Sequence, residues 1–176
     1  MIVLRGAPAS GKSETAKCLA RLFPTGAKVE VDTLRQMVIS VNWKNQAEHI
    51  NLLQLSTGLV HDFLKFGFRP VIVVDTFSGD KIKGFLDGLH QRDQTLSIKL
   101  FALYVSEDEL RRRLELRSNG EFRDFEISKR INDDVLGIKF DAELQIDTTG
   151  NLPTQIAEVI FGQCKSLPSP RSGIMR

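Results

Sequence analysis

At 176 residues, 41% of them apolar and 26% charged, the chain suits one domain with a core large enough for a sheet covered on both faces. A formal charge of +2 argues against a broad phosphate-binding surface for duplex nucleic acid, while a nucleic acid end stays among the candidate partners. No apolar stretch is long enough to span a bilayer and no leader is expected ahead of the first strand, so the expected location is cytoplasmic.

Ile2 to Leu4 reads as a short buried strand, and Ala16, Leu19, Ala20 and Phe23 share one face of a helix. Between them stands GAPASGKS, Gly6 to Ser13, which fits G-x-x-x-x-G-K-[ST] in the strand-to-helix setting that the pattern requires. Gly6 and Gly11 let the backbone approach a polyphosphate and turn its amides inward, and the helix aims its positive end at the same place. Ala9, Ser10 and Glu14 belong to the expected nucleotide-binding set, Glu14 standing where such loops commonly carry a hydroxyl near the α-phosphate. Lys12 is expected to reach the β- and γ-phosphates and the Ser13 hydroxyl to ligate Mg²⁺. Cys18 and Cys164 lack metal-ligand spacing and read as buried thiols.

The second apolar run, Val29 to Val31, leads into Asp32 and, three residues on, Arg35, which share a face if a helix starts there. That edge of an open α/β sheet is where ligands bind. Asp32 is a candidate base toward an attacking hydroxyl, and Arg35 a holder of an anionic group on the acceptor; a helix cap and a solvated arginine are the plainer reading. Trp43, in VNWKNQ, either stacks on an acceptor ring or simply packs. A long helix carries Leu52, Leu55, Leu59, Val60 and Phe63 on one stripe. The third run, Val71 to Val74, ends in Asp75, which faces the acceptor side and is a candidate Mg²⁺ ligand, directly or through water, or else a turn aspartate. His49, His61 and His90 show no ligand spacing and read as structural or solvated.

A helix with Ile82, Phe85, Leu86 and Leu89 precedes a fourth run, Ile98 to Val105. Ser106 and Glu109 form a capping-box pattern ahead of Leu110 and Leu114. Arg113 and Arg117 are four apart beside the SNGE turn, so on one helix both would face one ligand, as in a short lid; interleaved Glu109, Glu115 and Glu121 support an ion-paired surface helix instead. Leu144 to Ile146 is the fifth run, Asn151 and Pro153 open the last helix, and SLPSPRSGIMR reads as an exposed extension. Strand runs alternating with helical segments indicate a parallel α/β sheet, with the domain over 1–163 and an extension over 164–176.

Together these residues resemble the small P-loop kinases, closest to the polynucleotide 5′-hydroxyl kinase branch and its antibiotic-phosphorylating relatives, from about Ile2 to Phe161. Asp32 and Arg35 match that branch's Asp-x-x-Arg, Asp75 and Thr76 its Asp-Thr, and Arg117 its lid arginine. Arg113 falls on its purine-stacking arginine, and Asp147 to Gly150, with Thr149 and Gly150 toward the nucleotide, on its last loop. Phe77 departs from the polar residue often found there. The resemblance implies a five-stranded parallel sheet in the order 2-3-1-4-5, ATP with Mg²⁺, and γ-phosphoryl transfer to a hydroxyl. Lys12, Asp32 and Arg117 would be catalytic. The implied acceptors are a polynucleotide or nucleotide 5′-hydroxyl, or a small molecule such as an antibiotic, sugar or nucleoside. A nucleotide-gated binding protein with weak ATPase activity would keep Gly6 to Ser13 and have no use for Asp32 and Arg117.

Overall fold

Five short strands pair in parallel because the central ones are apolar on both faces and can lie only between two layers of helices. The computed structural model describes residues 1–165, and SLPSPRSGIMR lies outside the described residues. In chain order the elements are β1 (Ile2–Gly6), α1 (Lys12–Ala20), β2 (Ala27–Glu30), α2 (Val31–Gln36), α3 (Gln46–Lys65) and β3 (Val71–Asp75). They continue as α4 (Lys81–Arg92), β4 (Lys99–Tyr104), α5 (Glu107–Glu115), α6 (Phe125–Gly137), β5 (Leu144–Asp147) and α7 (Pro153–Lys165). The sheet order is β2-β3-β1-β4-β5, as the resemblance implies. Leu4 lies opposite Val74 on one side and Phe101 on the other, so the P-loop, the end of β3 and the end of β4 leave the same edge.

Side-chain alternation along these strands makes two cores. Val3, Val29 and Val73 pack with Leu53, Val60, Ile82 and Phe85 beneath α3 and α4. Leu4, Val74, Phe101 and Leu103 pack with Ala16, Leu19, Ile156 and Ile160 beneath α1 and α7. Each fully buried aliphatic side chain contributes about 1.5–3 kcal/mol against the entropy of ordering the chain.

Buried charge enters this interior at the central strand. Arg5 on β1, 3% exposed, donates from Nε at 2.5 Å and from its terminal nitrogen at 2.7 Å to the Glu143 carboxylate, also to the Ile138 carbonyl, and stacks on Phe140. The pair ties the segment between α6 and β5 to the central strand.

Several expected boundaries shift. Val31 opens α2 instead of closing β2, and Leu55 turns 57% of its surface to solvent because α3 buries Ser56 and Thr57 on the face it gives the sheet. Ser106 precedes α5 without a side-chain cap; its amide goes to the Thr149 hydroxyl at 2.8 Å, and Glu109 turns to Arg112 and Arg113. α5 stops at Glu115, so Arg117 sits in the turn beyond the helix, not one turn from Arg113 along it. α6 is an element that the apolar pattern does not reveal: its buried face includes Ser128 and Asn132. The Asn132 amide replaces a strand partner, accepting from the Val105 amide at 3.0 Å and donating to the Val105 carbonyl at 2.8 Å. α7 continues to Lys165, past the domain end expected at residue 163.

Candidate active site

The loop from Gly6 to Ser13 takes its shape from close packing. A Cβ on Gly6 would stand 2.5 Å from the Leu103 carbonyl oxygen and 2.6 Å from the Ser10 hydroxyl, so only glycine fits between β4 and the returning loop. Ala9 has φ +65° and Gly11 φ +86°, the turn that aligns α1 behind the loop. The Ser10 hydroxyl is fully buried with no hydrogen-bond partner, a donor held within the loop. Lys12 leans back and donates from Nζ to the Ala7 carbonyl at 3.1 Å.

Lys12 is where the separately predicted residues converge. Burial pushes its ammonium pKa below the ordinary value, while Asp32, Asp75 and Glu30 draw it back up and Arg117 opposes them. Three elements and the turn after α5 therefore bring charge to one lysine. Asp32, on the first turn of α2, has its pKa raised by desolvation and by the nearby Asp75 carboxylate, against Lys12, Arg35 and His49. A base with a raised pKa is better matched to proton abstraction near neutral pH.

Arg35 lies one turn on, 5% exposed, 4.0 Å from the Asp32 carboxylate. Its guanidinium lies 4.4 Å from the Trp43 ring centroid and donates to the Trp43 carbonyl at 3.1 Å, so one face of Trp43 is already occupied. Its Nε is buried and has no partner.

Asp75 is 4% exposed, and both its oxygens are engaged: one with His49 Nε2 at 3.2 Å, the other accepting from the Phe77 amide at 2.9 Å. Its pKa is lowered in spite of desolvation, because His49 and that amide hold the ionised form. Lys81 Nζ lies 3.4 Å from His49 Nδ1, so Nδ1 accepts there and Nε2 carries the hydrogen that faces Asp75. The arrangement fixes the orientation of the Asp75 carboxylate and leaves each oxygen a further acceptor site. Phe77 fixes it at a cost: φ is +47°, a strained value for a bulky residue, and its ring is fully buried 5.1 Å from Phe85. The Ser13 hydroxyl donates at 2.5 Å to a different carboxylate, Glu30.

On the other side of the loop, a cavity of about 360 Å³ is lined by Gly11, Thr15, Arg113, Thr148, Gly150 and Pro153 among others, and reaches Glu14 on α1. The Arg113 guanidinium, on the cavity wall, is held by Glu109 at 2.8 Å and by the Thr148 hydroxyl and carbonyl at 3.0 and 2.6 Å. Thr148, not Thr149, enters the cavity lining; Thr149 is engaged with Ser106 and, through its amide, with Asp147 at 2.8 Å. Arg117 is held in the turn by Glu121 at 3.2 Å and by the Phe122 carbonyl at 2.9 Å.

Glu30, His49, Lys81 and Thr148 are the site residues that the sequence reading missed. Glu30 carried a signal as a second carboxylate two residues before Asp32 at the strand end, and Thr148 stands within the Asp147 to Gly150 loop. His61 and His90 lie elsewhere, on α3 and α4. No described helix is long and apolar enough to cross a membrane.

Residues 1–136 match the family model described as an AAA domain. No curated protein matches the sequence. Among solved structures, a tunicamycin resistance protein from Deinococcus radiodurans is 22% identical at TM-score 0.71, covering 96% of this chain and 98% of that one. Shikimate kinase from Acinetobacter baumannii, in complex with shikimate, is 18% identical at TM-score 0.61 over 94% and 92% of the two chains. The Pnkp1/Rnl/Hen1 RNA repair complex is 20% identical at TM-score 0.62, over 77% of this chain and 43% of that one. These likenesses show the shared fold, a single-domain P-loop α/β sheet.

Proposed function

The chain belongs to the AAA-domain family in its P-loop kinase form, and from that premise we propose that it moves the γ-phosphoryl group of ATP to a hydroxyl acceptor. The observation that carries this reading is the convergence on Lys12 of Asp32, Asp75 and Arg117, contributed by separate segments of the chain. A protein that only binds nucleotide has no use for a carboxylate with a raised pKa beside the phosphate-binding lysine.

In the proposed reaction the acceptor hydroxyl attacks the γ-phosphorus and its proton passes to the Asp32 carboxylate. The bond from γ-phosphorus to the bridging oxygen breaks, and ADP takes the electron pair. Lys12 stays on the β- and γ-phosphates, and Arg117 swings from Glu121 to meet the charge spreading over the transferred group. Arg113 meets the base beside Pro153. Ser13 fits Mg²⁺, since its hydroxyl and the neighbouring carboxylate are hard oxygen donors; the ion, bound with ATP, supplies charge neutralisation across the β- and γ-phosphates.

Arg35 supports an acceptor that carries an anionic group beside its hydroxyl, because its buried Nε has no partner in the protein. A nucleotide or polynucleotide 5′-hydroxyl meets that requirement better than a neutral sugar or antibiotic. Incubation with γ-labelled ATP, Mg²⁺ and a panel of acceptors, water alone included, tests the reading. Label on a phosphorylated-nucleoside 5′-hydroxyl is the expected result, and release only to water would favour the nucleotide-gated binding protein.

A further inference from the structure

Lys81 brings a second cation toward the sheet edge that holds Asp32 and Arg35. It opens α4 just past the end of β3, and its Nζ donates to the Ser78 hydroxyl at 3.2 Å and to His49 Nδ1 at 3.4 Å. An ammonium has three protons, so one is left over. Asp75 lies across the imidazole, 3.2 Å from Nε2, so neutral groups hold Lys81 in place. α4 adds no acid to this corner: its first turn has none, and Asp80 ahead of it turns to Lys83 at 2.7 Å.

Arg35 has a matching surplus. Its terminal nitrogen donates to the Trp43 carbonyl at 3.1 Å, while its buried Nε has no partner. The two cations are within each other's field: burial pushes the Lys81 ammonium below its ordinary pKa, Asp75 draws it back, and the Arg35 charge opposes it. Like charges brought into range repel, and an anion between them reverses the sign. A phosphodiester carries a single negative charge, whereas a terminal phosphate monoester carries about 1.5 to 2 at neutral pH. The second cation suits the monoester.

We propose that Lys81 is a specificity-determining acceptor contact, which with Arg35 grips a terminal phosphate monoester beside the reacting hydroxyl and favours it over a diester. Its spare proton goes to the phosphate, and Ser78 and His49 keep the ammonium in position. The acceptor is then a small phosphorylated molecule, such as a nucleoside 3′-monophosphate, in preference to the continuing backbone of a polynucleotide. This rests on the hydroxyl-kinase reading above and narrows its acceptor.

Transfer from γ-labelled ATP to three acceptors tests it: a nucleoside 3′-monophosphate, the methyl diester of that phosphate, and the unphosphorylated nucleoside. The wild type should favour the monoester over the diester by about tenfold in kcat/KM, the order of one charge-assisted hydrogen bond. Lys81→Gln keeps a donor toward His49 and loses the charge; it should bring that ratio to within roughly threefold of one, chiefly through the KM of the monoester. Lys81→Arg keeps the charge and should retain most of the preference. Thermal unfolding checks that each variant is folded, and the wild-type ratio decides even where one is not. A wild type without the preference, one that labels only unphosphorylated acceptors, or a folded Lys81→Gln that loses equally on all three would overturn the proposal and leave the kinase reading standing. Label released only to water would overturn that reading, and the proposal with it.

Discussion

Arg113 and Thr148 are joined twice, from guanidinium to carbonyl at 2.6 Å and to hydroxyl at 3.0 Å, and the same hydroxyl stands 3.1 Å from the Ser10 carbonyl. One threonine thus locks α5, the loop after β5 and the P-loop to each other. Thr148→Val preserves shape and strands those partners, so it should cost about 1–3 kcal/mol in chemical denaturation and weaken ADP binding in calorimetry. Unchanged stability and affinity would mean that the three segments are held in place without it.

Lys12→Ala should lower turnover by at least about 10²-fold, in line with the loss of a donor aimed at transition-state charge. The fold should survive, and thermal stability should hold or rise, because the buried ammonium is disfavoured by desolvation and its one hydrogen bond is to the Ala7 carbonyl. Steady-state kinetics beside thermal unfolding check both halves of the expectation.

Asp32→Asn should reduce turnover by about 10² to 10⁴ while ADP affinity barely changes, since it removes a proton acceptor and keeps the shape. Arg35→Ala should raise the acceptor's KM chiefly when that acceptor is phosphorylated near its hydroxyl. Kinetics with a 3′-phosphorylated nucleoside and its unphosphorylated parent separate the cases; equal losses on both would remove the anionic-acceptor reading.

The acid limb of the rate profile should lie above the ordinary aspartate value, because desolvation and Asp75 both raise the pKa of Asp32 and the base must be ionised to act. Asp75→Asn deletes the like charge and should move that limb to lower pH. Movement in the other direction would show that Asp75 acts on the base chiefly through the His49 pair and not through its own charge.

Glu109 has its pKa lowered to about 2, first by its hydrogen bond from Arg112 and then by Arg113 and both positive charges. Its contribution to stability is therefore complete above the ordinary carboxylate value of 4.5 and lost as pH falls toward about 2. Glu109→Gln should flatten the decline in thermal midpoint across that window. A decline as steep as the wild type's would assign it to other carboxylates.

The loop from Gly6 to Ser13 and the parallel sheet were legible because each depends on local pattern: strand, glycine turn and helix in one stretch of chain. Asp32 and Arg35 were legible for the same reason, and the approach of Asp32 to Lys12 follows from the register of β2 on β3 and β3 on β1. His49 was not, because it reaches Asp75 only through the packing of α3 across the sheet, and nothing near it in sequence marks that meeting. α6 was hidden by the polar residues on its buried face, Ser128 and Asn132, of which Asn132 satisfies the end of β4 in place of filling a core. Trp43 was visible as an aromatic near the acceptor side, but its stacking on Arg35 is a tertiary fact.

Arg5 and Glu143 carry a constraint of inheritance. Replacing either one alone leaves an unpaired charge against the central strand, at a cost of about 3–5 kcal/mol, a large part of a small domain's whole stability. Replacing both with apolar residues of matching volume is close to neutral. Any descendant that changes these positions must cross from one viable form to the other through a poorly viable intermediate. The two codons, 138 residues apart, should therefore drift together or stand still.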